Sequence, residues 1–319
     1  MRRRDFVSFL GGVAAWPHSA WAQQAGKMPR IGVLIPHAPE PFLGMLRDGL
    51  RRLGYIEGQN IHLEIRTAGG KPDLLAGLAA ELVRLKVDII VANQTPTVEA
   101  AKRATKEIPI VMAPAGDPIG TGLVASLARP GGNITGMSAV TAEMGGKLLE
   151  LIRQLKPSAK RVGALANAAD PFAKPFLEHI ERGGRTLSIE TPSVRIHGAG
   201  DFSAAFADFV KQRVDAVIVQ PSLPRKPAID LALKHRLPAV SPTSAFPEEG
   251  GLLSYAATLV DMYRESAVYV DKILRGAKPA ELPVQQASKF ELVVNLRTAK
   301  AIGLTVPKSV LERADRVIE

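Results

Sequence analysis

Short apolar runs rich in β-branched residues alternate with amphipathic helical patterns from Pro29 to the end of the chain. That alternation is the signature of parallel sheets covered by helices on both faces, because a parallel strand needs a helical crossover to return to the same edge. In the first half the strand candidates are 30–35, 61–66, 88–92 and 108–113. Between them Phe42, Leu46, Leu50 and Leu53 share one helical face, and so do Leu75, Leu78, Leu82 and Leu85. The next helix opens on Thr95-Pro96, where a hydroxyl can cap free N–H groups and proline fits the first turn.

The pattern restarts after Gly136. Strand candidates 161–166, 188–195, 216–220 and 238–241 are separated by helices carrying Met144, Leu148, Leu151 and Leu155, then Phe172, Phe176 and Ile180, then Phe202, Phe206, Phe209 and Val210. The three phenylalanines of that last face are spaced as core. Two doubly wound sheets follow, with a seam of turn residues at 129–136. The remaining segments, strand 252–255, helix 262–274, strand 290–294 and a terminal helical pair interrupted by Pro307, complete both sheets if the chain crosses between them three times.

The first 22 residues have the features of an export signal: Arg2-Arg3-Arg4, an apolar stretch from Phe6 to Trp16, and Ala20-Trp21-Ala22 before Gln23. Arg3-Arg4-Asp5-Phe6-Val7 fits a twin-arginine signal, and the basic start serves the general route equally well. The chain has no cysteine, which excludes disulfides, thiolate metal sites, a cysteine nucleophile and a lipid anchor. Export without an anchor implies the periplasm of a cell with an outer membrane. No run approaches the roughly 20 apolar residues that span a bilayer, so the mature protein is not expected to be membrane-embedded.

Cleavage after Ala22 removes three arginines and one aspartate and lowers the formal net charge from +10 to +8. The remaining basic residues are scattered among acids, and aromatics make up only 5% of the chain. Neither a basic stripe nor a stacking platform for nucleic acid is present. The six histidines show no zinc spacing, and there is neither a Gly-x-Ser-x-Gly elbow nor a Walker loop. Gly198-Ala199-Gly200 starts like a dinucleotide fingerprint but lacks the last glycine. The sequence therefore supports no cofactor, metal or enzymatic assignment.

The stretch 116–136, GDPIGTGLVASLARPGGNITG, resembles the ABC transporter substrate-binding proteins of the tryptophan/tyrosine type. RRLGYIEGQN at 51–60, KHRLPA at 234–239 and FELVVNLRTAK at 290–300 agree with it in order and spacing, so the resemblance covers essentially the whole mature chain. It implies a type I periplasmic-binding-protein fold, with two lobes joined by three hinge strands that close on a small-molecule solute. On that pattern one lobe comprises 28–136 with 243–285 and the other 137–242 with 286–319. The implied function is the periplasmic receptor of an ABC importer, a monomer handing a small polar solute, such as an aromatic amino acid, to an inner-membrane permease. The alternatives are an extracytoplasmic sensing module and an enzyme on the same scaffold.

In open parallel sheets ligands bind beyond the carboxyl ends of the strands, near helix N-termini that offer free N–H groups. In the first lobe this selects His37, which can hydrogen-bond or stack on a ligand, and Asn93, Gln94 and Thr95, which can bond a carboxylate together with the backbone. Plain helix capping is the rival role of Thr95. Asp117 can pair with a ligand ammonium or simply initiate a turn. In the second lobe the candidates are Asn167 and Asp170, with capping again the rival, and Gln220 and Ser222 after the most apolar strand. The crossovers are expected at 136–138 and 241–243, which makes Ser138 and Thr243 the hinge-side candidates.

Overall fold

The computed structural model describes residues 28–319, and the expected export segment lies outside the described residues. The first sheet is built by β1 (Arg30–Ile35), β2 (His62–Thr67), β3 (Ile89–Ala92), β4 (Ile110–Ala115) and β5 (Ile134–Ser138). Helices α1 (Phe42–Arg52), α2 (Leu75–Arg84) and α3 (Thr95–Ala104) connect the first four strands. The chain then crosses into the second lobe. There α4 (Thr141–Leu155), β6 (Val162–Asn167), α5 (Ala173–Leu187), β7 (Ser193–Ile196), α6 (Phe202–Lys211), β8 (Ala216–Val219), α7 (Arg225–Lys234), β9 (Ala239–Ser241), α8 (Ala245–Glu248) and β10 (Leu253–Ala257) follow. A second crossing leads to α9 (Leu259–Leu274) and β11 (Gln285–Gln286), and a third to β12 (Phe290–Asn295), α10 (Leu296–Ala301), α11 (Lys308–Leu311) and β13 (Arg316–Ile318).

The first sheet has the order β11-β5-β4-β3-β1-β2 and the second β13-β12-β10-β9-β8-β6-β7. Counted from its own first strand, each lobe repeats one doubly wound order with a reversal point, at β1/β3 and at β6/β8. Strand periodicity assigns the faces. In the first sheet Ile31, Val33, Ile89 and Val91 enter the core under α1 and α9, whereas Leu34, Ile90 and Ala92 enter the one under α2 and α3. In the second sheet Ala164, Ile218 and Val240 face one core, and Leu165, Val217 and Val219 face the other, which also holds Phe202, Phe206 and Phe209. Covering both faces is what lets these strands be apolar throughout.

Four expectations change. Val210, placed by its spacing beside the three phenylalanines, is exposed. Strand β7 begins later than 188, because Ser188 closes α5 in a left-handed conformation, φ 53°. The segment 243–257, expected in the first lobe, joins the second: β10 pairs with β9 in parallel and with β12 antiparallel. The second crossing therefore falls at Thr258, not at 241–243, and Thr243 is no hinge residue.

The three crossings are tied side by side. Ala139 N–H donates to Ala115 O at 2.8 Å, Ala287 N–H to Ser138 O at 2.9 Å, and Thr258 N–H to Lys289 O at 3.0 Å. Among the described residues no helix is long and apolar enough to cross a membrane.

Candidate functional site

The reversal points of the two sheets open toward each other, and a cavity of about 90 Å³ lies between the lobes. First-lobe loops bring Gln94 and Thr95 from the end of β3 and Gly116 from the end of β4. The second lobe brings Asp170 and Phe172 after β6, Ser222 and Arg225 after β8, and Thr243 after β9. Helix α4 adds Thr141 from its first residue, and α9 adds Tyr263 one turn in from its start.

Helices α3 and α4 present their N-terminal residues, Thr95 and Thr141, to this space without any side-chain cap. Thr141 N–H is taken by Gly116 O at 3.0 Å and Pro96 has no N–H, so it is mainly the positive dipole ends of the two helices that favour an anionic group there. The residue before α3, Gln94, has φ 69° and ψ 158°, a region that glycine alone enters without strain. Such strain costs on the order of 1–3 kcal/mol and persists where the surroundings enforce it. Here the Gln94 N–H donates to Pro114 O at 3.1 Å, and its carbonyl accepts from Thr97 Oγ1 at 2.8 Å. Thr95 does not cap its own helix: its Oγ1 accepts from Gly116 N–H at 3.1 Å and so joins two walls of the cavity.

The opposite wall carries a carboxylate. Asp170 is 4% exposed; its Oδ1 accepts from Phe172 N–H at 2.9 Å in the turn leading into α5, and its Oδ2 accepts from Gln220 Nε2 at 2.7 Å. Gln220 in turn accepts from Asn167 N–H at 2.8 Å, so it positions Asp170 without lining the cavity itself. Burial pushes the Asp170 pKa up, and Ser222, Phe172 N–H and Gln220 only partly offset this. Although Ser222 lies near this carboxyl, its buried Oγ has no partner of hydrogen-bonding geometry. Of the two roles posed for Asp170, it lines the cavity, while α5 has no side-chain cap.

Arg225 opens α7, and its Nε and Nη2 donate to Glu249 Oε1 at 2.8 and 2.5 Å. Its charge reaches the first lobe. His37 is held below its ordinary pKa by burial and then by Arg225. Burial pushes the Tyr263 pKa up to about 12, against the opposing effects of the Asn93 side chain and Arg225, so this hydroxyl remains a donor at neutral pH.

A second, smaller recess of about 20 Å³ adjoins the cavity. It is lined by His37 and Asn167, and it shares Gln94, Pro96 and Ser222 with the larger space. The remaining sequence candidates serve the framework. Asn93 Nδ2 donates to Ala113 O at 2.5 Å. Asp117 Oδ1 accepts from Gly120 N–H at 2.9 Å, as a turn-initiating aspartate does. Ser138 is buried beneath the first crossing, where its Oγ accepts from Val140 N–H at 3.4 Å. None of these three is among the residues lining either space.

Sequence reasoning missed Thr141, Phe172, Arg225 and Tyr263 as site residues. Phe172 was assigned to a helical core face, and the first turn of such a face also borders the strand ends. Arg225 stands three residues beyond Ser222, at the helix start where a positive group can face the cleft. Among the described residues no cluster of three or more His, Cys, Asp or Glu can hold a metal ion.

Two doubly wound lobes, three adjacent crossings and a polar cavity between strand ends define the type I periplasmic-binding-protein fold. The chain belongs to the ABC transporter substrate binding protein family, whose model matches residues 40–318. A tyrosine-binding protein of Clostridioides difficile (strain R20291) is 26% identical over 289 residues, which cover 87% of this chain and 82% of that protein. The crystal structure of a conserved domain protein from Vibrio cholerae superposes with a TM-score of 0.85 at 28% identity, covering 91% of this chain and 100% of that one. An ABC domain from Streptococcus pneumoniae in complex with L-Trp gives a TM-score of 0.83 at 28% identity, covering 92% of this chain and 100% of that one.

Proposed function

We propose that this protein captures an α-amino acid with an aromatic side chain between its lobes and delivers it to an ABC permease from the periplasmic side of the inner membrane. One observation carries the reading: the cavity sets the buried Asp170 carboxylate opposite the uncapped N-termini of α3 and α4. That arrangement suits a zwitterion, with its ammonium toward Asp170 and its carboxylate toward the helix ends. Phe172 and Tyr263 supply aromatic walls. The tyrosine-binding relative and the L-Trp complex support the choice of an aromatic solute. At about 90 Å³ the cavity is well below the roughly 300 Å³ of pockets for drug-sized ligands, so the solute is small.

On this reading Gln94, Thr95, Thr141, Asp170, Ser222, Arg225, Thr243 and Tyr263 meet the solute. One lobe comprises 28–138 with 259–286 and the other 141–257 with 290–319, and the mature chain lacks residues 1–22. The solute favours the closed arrangement by its differential affinity for closed over open lobes. The test is thermal unfolding of the purified mature protein with tyrosine, tryptophan, phenylalanine, leucine and glutamate. A solute at a hundred times its Kd adds about 2.7 kcal/mol, so one or more aromatic amino acids raise the Tm while glutamate does not. Absence of a shift with all five overturns the reading. Loss of labelled-solute uptake in a deletion strain tests the transport role.

A further inference from the structure

Among the described residues that line the cavity between the lobes, Asp170 and Arg225 alone carry ionic side chains, and both belong to the second lobe. Arg225 is held by Glu249, which accepts from Nε and Nη2 on one carboxylate oxygen and is itself absent from the lining. Nη1 takes no part in that pair and is left for a further acceptor. The guanidinium acts across the cleft: its charge lowers the pKa of His37 and opposes the rise at Tyr263, two first-lobe groups that flank the start of α3. His37 shares the small recess with Gln94 and Pro96, and Tyr263 is bonded by the side chain of Asn93, one residue before Gln94.

Closure thus brings a guanidinium toward the positive end of α3, and among the described residues the first lobe adds no carboxylate to the lining. Like charges repel when they approach in a cleft that loses water, whereas an anion placed between them is held from both sides. The helix ends offer such an anion mainly field rather than donors, since Pro96 has no N–H and Thr141 N–H is taken by Gly116 O. A guanidinium supplies directed donors in a fork that suits a carboxylate. We propose that Arg225 grips the α-carboxylate of the solute, with Glu249 positioning it, and that this carboxylate is the counter-ion that lets Arg225 and the α3 N-terminus come together. The proposal rests on the amino-acid reading above and assigns the acidic end of the solute to one side chain. Because Asp170 and Arg225 lie on the same lobe, that lobe engages both charges of the zwitterion before the first lobe closes over it.

The experiment is isothermal titration calorimetry of the mature protein and of Arg225→Gln with L-tyrosine, L-tryptophan and the amide of each, which lacks the carboxylate charge. The unaltered protein binds an acid at least about thirtyfold more tightly than its amide, and Arg225→Gln removes most of that ratio by weakening the acid far more than the amide. Arg225→Lys, which keeps the charge and loses the fork, falls between the two. Equal affinities for acid and amide in the unaltered protein overturn the assignment and leave the amino-acid reading in place. So does a ratio that Arg225→Gln leaves intact, because a merely structural role weakens acid and amide alike. Binding of neither acid overturns both readings. Should Arg225→Gln not fold, Arg225→Lys carries the test, and an unreduced ratio there overturns the assignment.

Discussion

Gly116 of the first lobe and Phe172 of the second meet across the cleft so closely that a Cβ on Gly116 would lie 2.8 Å from Phe172 Cε2 and 2.9 Å from Cδ2. Phe172 is 4% exposed, so its ring has little room to retreat. The absent side chain is what allows the lobes to approach. Gly116→Val is expected to leave each lobe folded and to prevent full closure. Solute affinity falls about tenfold or more, a loss of about 1.4 kcal/mol or more, and small-angle scattering shows no compaction on adding solute. A variant that compacts like the unaltered protein contradicts this role.

Asp170 sets a pH dependence of opposite sign for binding and for stability. Burial raises its pKa in the folded, unoccupied protein, so its contribution to stability is complete below the ordinary carboxyl pKa and is lost as pH rises through the raised value. Binding runs the other way, because only the ionised carboxylate pairs with a solute ammonium. Affinity measured by calorimetry is expected to weaken as pH falls below the raised pKa and to level off above it. Asp170→Asn costs at least about 2 kcal/mol of affinity, roughly thirtyfold. Affinity that does not weaken at any pH between neutral and the ordinary carboxyl pKa removes Asp170 from the ammonium site.

Asp215 is the opposite case and has no part in the cavity. Burial alone would raise its pKa, but Lys156 and the N–H groups of Lys160 and Arg161 outweigh burial and hold it below the usual carboxylate range. Its Oδ2 accepts from those two N–H groups at 2.8 and 3.1 Å, at the entry to β6. This stability is present above the ordinary carboxyl pKa and is lost as pH falls through the depressed value. Asp215→Ala leaves two backbone donors without their partner and costs about 1–3 kcal/mol in denaturant unfolding near neutral pH, with affinity unchanged. A cost that persists undiminished at strongly acidic pH contradicts the assignment.

Val140, in the first crossing, has φ 54° and ψ 28°, left-handed backbone that β-branched residues rarely enter. The conformation costs on the order of 1–2 kcal/mol in the lobe arrangement of this structure. Glycine relieves it, and glycine's extra freedom in the unfolded chain does not enter the open–closed ratio. Val140→Gly is expected to raise solute affinity severalfold and to make the unoccupied protein more compact in scattering. Unchanged affinity shows that the same dihedral is kept when the lobes open.

Much of this protein follows from local pattern. Period-two and helical spacings locate the strands that carry Ile89 and Val91, Leu165, and Val217 and Val219, and the segments after those strands contain Gln94 and Thr95, Asp170, and Ser222 in turn. These assignments need only the direction of a side chain relative to its neighbours in sequence. Polar side chains divide less clearly. Asn93 and Asp117 stand in the right loops, but Asn93 Nδ2 and Asp117 Oδ1 bond backbone of their own lobe, and the Asn93 side chain acts on the cavity only through Tyr263.

The chain alone therefore determined two covered parallel sheets and the strand ends between which a solute can sit. The tertiary structure decided that Leu253–Ala257 belongs to the second sheet, because an apolar strand reads the same wherever it pairs. It also decided that Arg225, Tyr263 and Phe172 turn toward one cavity, since that depends on how two separately wound lobes meet. Contacts between residues far apart in sequence leave no period for a reader of the sequence to find, and the specificity of a cleft is made of such contacts.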